Sequence, residues 1–489
     1  MARLSDWPWR HWARLQPQAT ALLLGERPLS WLALQSQVDE LAADFQHQGV
    51  EPGCGVALCG KNSYPLLLAY LALLQCGARL LPLNPALPTP LLAQLLPELD
   101  MTFVFGPDSL PALPEEVIRL TPPSTEPRWP DLPTWDAQRL ATLTLTSGSS
   151  GMPKAAAHSY ANHLASAAGV LQLMDFQRED CWLLSLPLFH VSGQGIVWRW
   201  LAAGARLAVR EMHPLAEALA GCTHASLVPT QLWRLLAQPL TGMTLKAVLL
   251  GGAMIPVELT ERAEAAGIRC WCGYGLTELA STVCAKRADA RPGVGLPLGG
   301  REVKLVDEEV WIRADSLALG YWRHGHLQPL ADEQGWFATR DRGVMEEGEL
   351  RILGRLDNLF FSGGEGVQPE DIERVLAAHP QITQAFVVPM ADAEFGQRPV
   401  AVIDGDPALS LGALLAWSQN QLANFQRPVA LLPLPEELKN GGIKISRRQL
   451  QQWVAQRLSQ PSTQPPERAA EWMAAEGYFS PNALATPAP

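Results

Sequence analysis

The chain has 489 residues, 47% hydrophobic and 18% charged, with a formal charge of −11 from 38 Lys+Arg against 49 Asp+Glu. That much apolar material in so long a chain supplies a large core and excludes a wholly disordered protein, and a soft allowance of roughly 150 residues per domain predicts about three domains. The acidic balance argues against a general nucleic-acid coat or a binder of anionic membranes, while leaving room for an anionic small substrate in a locally positive pocket.

The first twenty residues carry Arg, Asp, His and Gln among their tryptophans and lack an apolar signal core. Tyr64 to Cys76 is the most apolar run, broken by Gln75 and then Arg79. A bilayer span needs about 20 apolar residues, so no span is expected. Helical and strand signals alternate to about residue 350, which predicts an α/β architecture. Thr142–Thr146 alternates with period two and opens into a Ser/Gly run; Lys246–Leu250 stops at Gly251-Gly252; Ile268–Cys272 stops at Gly273-Tyr274-Gly275. Ligands gather beyond the carboxyl ends of strands in such sheets, so three glycine turns predict one composite nucleotide site. The eight cysteines include Cys270-Trp-Cys272 but no CxxC pair and no histidine set for zinc. Free thiols in a reducing, cytoplasmic setting are the expectation.

After Gly354-Arg355-Leu356-Asp357 the texture changes to a small α+β domain. Pro369 opens a helix with acids in its first turn and Ile372, Val375 and Leu376 on one face. Strands are expected at 385–388, 400–403 and 429–432, and helices at 411–422 and from Ser446. Beyond Gln460 the chain is rich in Pro, Ala, Ser and Thr, which predicts a mobile tail with at most a short helix at 467–476. The expected division is 1–354, 355–458 and a tail at 459–489.

Thr146, Ser147, Gly148, Ser149, Ser150 and Gly151, followed by Lys154, make a strand-linked loop of hydroxyls and glycines ending in a cation. Glycines admit backbone N–H groups to an anion, and hydroxyls and an ammonium add donors and charge. Pro153 and Ala155 rule out a Walker A loop. Phosphate binding is the reading; a flexible Ser/Gly turn is the alternative.

This loop resembles the phosphate loop of the adenylate-forming superfamily, which includes acyl-CoA synthetases, luciferases and peptide-synthetase adenylation domains. Ser150 and Ala155 stand where that family has Thr and Gly. Other family segments follow in order. Gly251-Gly252-Ala253 resembles the adenine-side turn, and Gly273-Tyr274-Gly275-Leu276-Thr277-Glu278 resembles the signature. There the resemblance implies that Tyr274 stacks adenine, Thr277 holds phosphate and Glu278 places magnesium. Thr339-Arg340-Asp341 stands where the family has Thr-Gly-Asp, so Asp341 would bind the ribose hydroxyls. Arg355 would contact the ribose and Asp357 would be the hinge. Gly363 and Gly364 resemble the loop lining the tunnel for the CoA thiol. Lys444 resembles the terminal catalytic lysine, although Ile443 replaces the preceding glycine; Lys439 is the second choice.

The resemblance thus implies a large N-terminal domain of α/β layers, a small mobile C-terminal domain, and ATP, CoA and Mg2+ as reactants and ion. A carboxylate is a poor acylating centre, whereas an acyl-adenylate leaves AMP. Lys444, the loop donors and magnesium would stabilise charge at the α-phosphate before a thiol attacks. Several segments, such as Pro187–Gly195, Val197–Trp200 and Leu438–Lys444, resemble the 2-succinylbenzoate–CoA ligase family of menaquinone biosynthesis. Its substrate has a second carboxylate, costly to bury without a partner. Arg199 is the candidate cation; a surface arginine beside two tryptophans is the alternative. His190 and Ser192 are expected on a strand-end loop facing the acyl pocket, with Gly193, Gln194 and Thr277 as further wall residues. His190 is read there as a wall or gating group. Adenylation of another aryl or acyl acid, or loading of a carrier-protein thiol, are the alternatives. A homo-oligomer is left open.

Overall fold

In the computed structural model, which describes residues 4–107, 114, 116–121, 129–146, 153–251, 255–291, 293–363, 365–392, 395–439 and 445–459, the most apolar run is the helix Tyr64–Gln75. Ser63 caps it by accepting from Leu66 N, and Pro65 sits in its first turn, where the missing N–H does no harm. Leu66, Leu67 and Ala69–Gln75 are buried, so the run serves a core rather than a membrane. No helix among the described residues is long and apolar enough to cross a membrane.

Two sheets frame the larger part of the chain. One has eight strands, in the order His326–Gln328, Gly320–Arg323, Lys154–Ser159, Leu140–Thr146, Arg79–Leu83, Gly55–Cys59, Phe103–Phe105 and Ile118–Arg119. Its last five strands are parallel, and Leu140–Thr146 turns back antiparallel into Lys154–Ser159 with Thr146 opposite Lys154. The other has nine strands. Its parallel centre runs through Ala247–Leu250, His224–Leu227, Cys181–Leu183 and Arg206–Val209, flanked by Arg269–Leu276 and the antiparallel Ser281–Arg287. Central strands such as Ala247–Leu250 are buried at every position, as parallel strands covered on both faces must be. The α/β expectation is met. All eight cysteines are free thiols.

One expectation is corrected here. Gly273-Tyr274-Gly275 does not end its strand, which continues to Leu276 along Ser281–Arg287 with a register shift between Tyr274 and Gly275. The turn comes later, at Thr277–Leu279, followed by Ala280 and Ser281 at φ 52° and 115°. Gly275 is required because a Cβ there would lie 2.1 Å from the Ser281 carbonyl oxygen.

Contacts divide the chain into two compact units. The smaller takes 306–310, 340–344 and everything from Ile352 onward. In it a five-stranded sheet has Gly396–Gly405 between Phe360–Ser362 and the antiparallel Ile382–Asp392, with Ala430–Pro433 added in parallel. The helix Pro369–Ala377 buries Ile372 and Leu376 against this sheet's core, which includes Val387 and Ala401. The strands run longer than their sequence signals, and the helix Leu411–Ser418 stops short of residue 422. The expected tail, with its helix at 467–476, lies outside the described residues.

Candidate active site

The ends of the candidate phosphate loop are built by the hairpin register. Thr146 closes one strand and Lys154 opens the next, directly opposite. Ser147, Gly148, Ser149, Ser150 and Gly151 themselves lie outside the described residues, as do Gly252, Ala253, Gly364 and Lys444. Lys154 Nζ lies 4.9 Å from the Tyr321 ring centroid, and the Tyr321 hydroxyl donates to Glu278 Oε1 at 2.7 Å. Tyr321 therefore ties the loop's cation to the carboxylate of the signature segment. The sequence reading missed it: no motif marks it, and it stands on Gly320–Arg323, a strand remote from both partners in sequence.

The turn carrying Thr277 and Glu278 is fixed by Ser166 Oγ, which donates to Ala280 O at 2.6 Å, and by Ala318 N, which donates to Glu278 O at 2.8 Å. Parallel pairing of Leu250 with Cys272 places Gly251 beside Gly273: a Cβ on Gly251 would lie 3.5 Å from the Gly273 oxygen. Tyr274 and Thr277 are half-buried on this rim. Groups of three or more metal-ligating side chains are absent among the described residues. Glu278 alone suits Mg2+, which is commonly held by one or two carboxylates together with substrate phosphates.

The loop expectation holds for His190, which ends the segment leading into a helix, and fails for Ser192, which is inside that helix. His190 is the N-cap residue of the helix Val191–Ala203, and Ser192, Gly193, Gln194 and Arg199 are within it. The sequence Val-Ser-Gly-Gln-Gly looks loop-like, but its glycines serve close approach. A Cβ on Gly193 would meet the Pro187 carbonyl oxygen at 2.1 Å. Gln194 is wholly buried and donates from Nε2 to Thr144 Oγ1 and Leu188 O, both at 3.1 Å, bolting this helix to the strand that feeds the phosphate loop. The His190 ring lies 4.9 Å from that of Phe189.

Arg199 is 1% exposed, which disposes of the surface alternative. Its Nη2 donates to Ser226 Oγ at 3.4 Å and its Cζ lies 4.6 Å from the Trp182 ring centroid. Its Nε has no hydrogen-bond partner among the described residues. Burial pulls its pKa down to about 9. A buried guanidinium so sparsely satisfied carries a desolvation cost that a bound anion would offset.

The smaller unit holds the remaining candidates. Asp341 is 4% exposed, and its Oδ1 accepts from Arg355 Nη1 at 3.0 Å. Arg355 Nη2 also reaches Asp357 Oδ2 at 3.3 Å. Burial pulls the Arg355 pKa down, but the two carboxylates more than offset this and leave it raised. Gly363 has φ 61° and donates to Phe395 O at 2.9 Å. Lys439 is engaged by Asp404 and Glu436 at 2.8 and 2.6 Å.

The chain matches the family of AMP-binding enzymes over residues 9–322, and it belongs to that family. It is 60% identical over 453 residues to the 2-succinylbenzoate–CoA ligase of Escherichia coli, covering 92% of this chain and 98% of that protein. The 2-succinylbenzoate–CoA ligase of Haemophilus influenzae is 45% identical over 463 residues, covering 92% and 99%. A solved structure of an arginine-to-lysine variant of E. coli MenE with bound OSB-AMS matches with a TM-score of 0.87 at 57% identity, covering 94% of this chain and all of that one.

Proposed function

We propose that this chain is an AMP-forming acid–CoA ligase that converts 2-succinylbenzoate, ATP and CoA to 2-succinylbenzoyl-CoA, AMP and pyrophosphate in menaquinone biosynthesis. Identity of 60% over 92% of the chain to a ligase of that name supports it. The observation in this molecule that carries the choice of acid is Arg199, a buried cation whose Nε has no partner among the described residues, suited to the carboxylate that is held and not activated.

In this reading the succinyl carboxylate attacks the α-phosphate of ATP, pyrophosphate leaves, and the CoA thiol then displaces AMP from the acyl-adenylate. The segment 146–151 and Lys154 hold phosphates, and Thr277 adds a hydroxyl. Gly251–Ala253 and Gly273–Gly275 frame the adenine, with Tyr274 stacked on it. Asp341 and Arg355 hold the ribose. Lys444 stabilises the charge that builds at the α-phosphate. A magnesium ion at Glu278 would neutralise phosphate charge. His190, Ser192, Gly193 and Gln194 wall the acyl side, Gly363 and Gly364 admit the thiol, and Asp357 is the pivot of a lid at 355–458. Free thiols throughout fit a reducing cytoplasm.

Release of AMP and pyrophosphate that requires both 2-succinylbenzoate and CoA tests the reading. Turnover with fatty acids alone overturns the substrate, and loading of a carrier-protein phosphopantetheine in preference to CoA overturns the thiol.

A further inference from the structure

Arg340 adopts φ 63°, the left-handed region, inside the strand Phe337–Glu346. L side chains other than Asn and Asp rarely enter that region, whereas glycine enters it without strain. A strained residue persists where its surroundings hold it. Arg340 is held at both ends. Its backbone N–H donates to Glu309 Oε1 at 2.9 Å, a bond indifferent to the side chain. Its guanidinium donates from Nε and Nη2 to a single oxygen, Asp357 Oδ1, at 3.2 and 3.1 Å. The other oxygen, Oδ2, accepts from Arg355 Nη2, whose partner nitrogen Nη1 donates to Asp341 Oδ1. Four charges therefore alternate in a row, Arg340, Asp357, Arg355, Asp341, running from an exposed end to a buried one.

We propose that Arg340 is a positioning residue for nucleotide binding, acting through Asp357 on Arg355. By occupying Oδ1 it leaves Asp357 only Oδ2 to offer Arg355, which keeps that guanidinium shared with Asp341. Without Arg340, the Asp357 carboxylate is at liberty to take Arg355 in a two-bond fork and draw it off Asp341. The inference rests on the reading of Asp341 and Arg355 as the ribose pair. The Arg340 side chain is 55% exposed and that of Asp357 24%, so the coupling is modest and screened by salt.

Arg340→Gly removes the guanidinium and relieves the backbone, so the fold is not at risk. The expected result is an unchanged or higher Tm, with the KM for ATP raised about two- to five-fold and kcat changed less than that. The ratio of the variant's KM to that of the unsubstituted protein should fall toward one in about 1 M salt. Arg340→Lys should recover part of the loss. Asp341→Ala serves as the control. If it leaves the KM for ATP unchanged, the ribose reading fails. If it raises the KM while Arg340→Gly does not, the ribose reading stands and the positioning role of Arg340 is overturned. A lower Tm for Arg340→Gly with an unchanged KM overturns it too, because Arg340 would then serve only the fold.

Discussion

If Arg199 holds the second carboxylate, it is a residue poor for stability and good for binding. A basic group whose folded pKa is lowered, here by burial to about 9, binds its proton less tightly in the folded than in the unfolded state. Stability therefore rises only as pH climbs above about 9, and the full penalty is present at neutral pH. An anion beside Arg199 Nε removes that penalty. Arg199→Leu should accordingly raise the Tm of the ligand-free protein and abolish the extra stabilisation that 2-succinylbenzoate confers. The KM for the dianionic acid should rise roughly 10- to 100-fold, with far less change for a monocarboxylate analogue. Melting curves with and without acid, together with initial rates, check it. Tyr321 is the complementary case, a residue without a motif that joins Lys154 to Glu278. Tyr321→Phe keeps the ring under the ammonium and deletes the bond to the carboxylate. Pyrophosphate exchange should slow about tenfold while CoA transfer from preformed adenylate is unaffected.

At the scale of elements, the rim depends on what lies beneath the Thr277–Ala280 turn. His158, on the strand Lys154–Ser159, is wholly buried, and burial lowers its pKa to about 4 even though the backbone of Glu278 and Thr277 favours its proton. His163, on the helix Tyr160–Met174, stacks on Trp198 at 5.0 Å, and burial holds its pKa well below the usual range. For such a group the unfolded state takes the proton first, so stability is complete above about pH 6.5 and is lost as pH falls toward 4. The lowering from 6.5 to about 4 is worth about 3 kcal/mol for His158, of which about 2 kcal/mol is gone by pH 5. Urea unfolding at pH 7.5 and 5 should show a stability loss that His158→Gln reduces by about 2 kcal/mol; an equal loss in both proteins would show that the ring titrates normally. Elements with a plain period were legible in the sequence: Thr142–Thr146 alternates and is a strand, and Pro369 with its acidic first turn starts a helix. Glycines misled in both directions. Those at 193 and 195 lie within a helix, which at Gly193 packs too closely for a Cβ, and those at 273 and 275 lie in a strand. Glycine marks close approach as often as a turn, and only the neighbour in space distinguishes the two.

For the molecule as a whole, the chain's order of motifs carried the α/β class and the family, because each segment is local and its spacing is read directly. The division into units was less legible. Segments 306–310 and 340–344 group with the smaller unit although residues of the larger one precede and follow each of them in sequence, and no composition shift marks such excursions. The same scale governs the two-step chemistry. Adenylation builds negative charge at the α-phosphate and needs a cation there, whereas thiol attack expels AMP, whose charge is already formed. If Lys444 supplies that cation, Lys444→Ala should slow adenylation by at least about 100-fold, a loss typical of removing one well-placed transition-state donor. Transfer from chemically prepared acyl-adenylate to CoA should stay within a few-fold, as measured by rapid quench of each half-reaction. Lys439, already engaged by Asp404 and Glu436, should tolerate the same change with both half-reactions nearly intact. Equal loss of both steps in Lys444→Ala would assign the lysine to holding the smaller unit together, and selective loss of adenylation in Lys439→Ala would move the catalytic role to that residue.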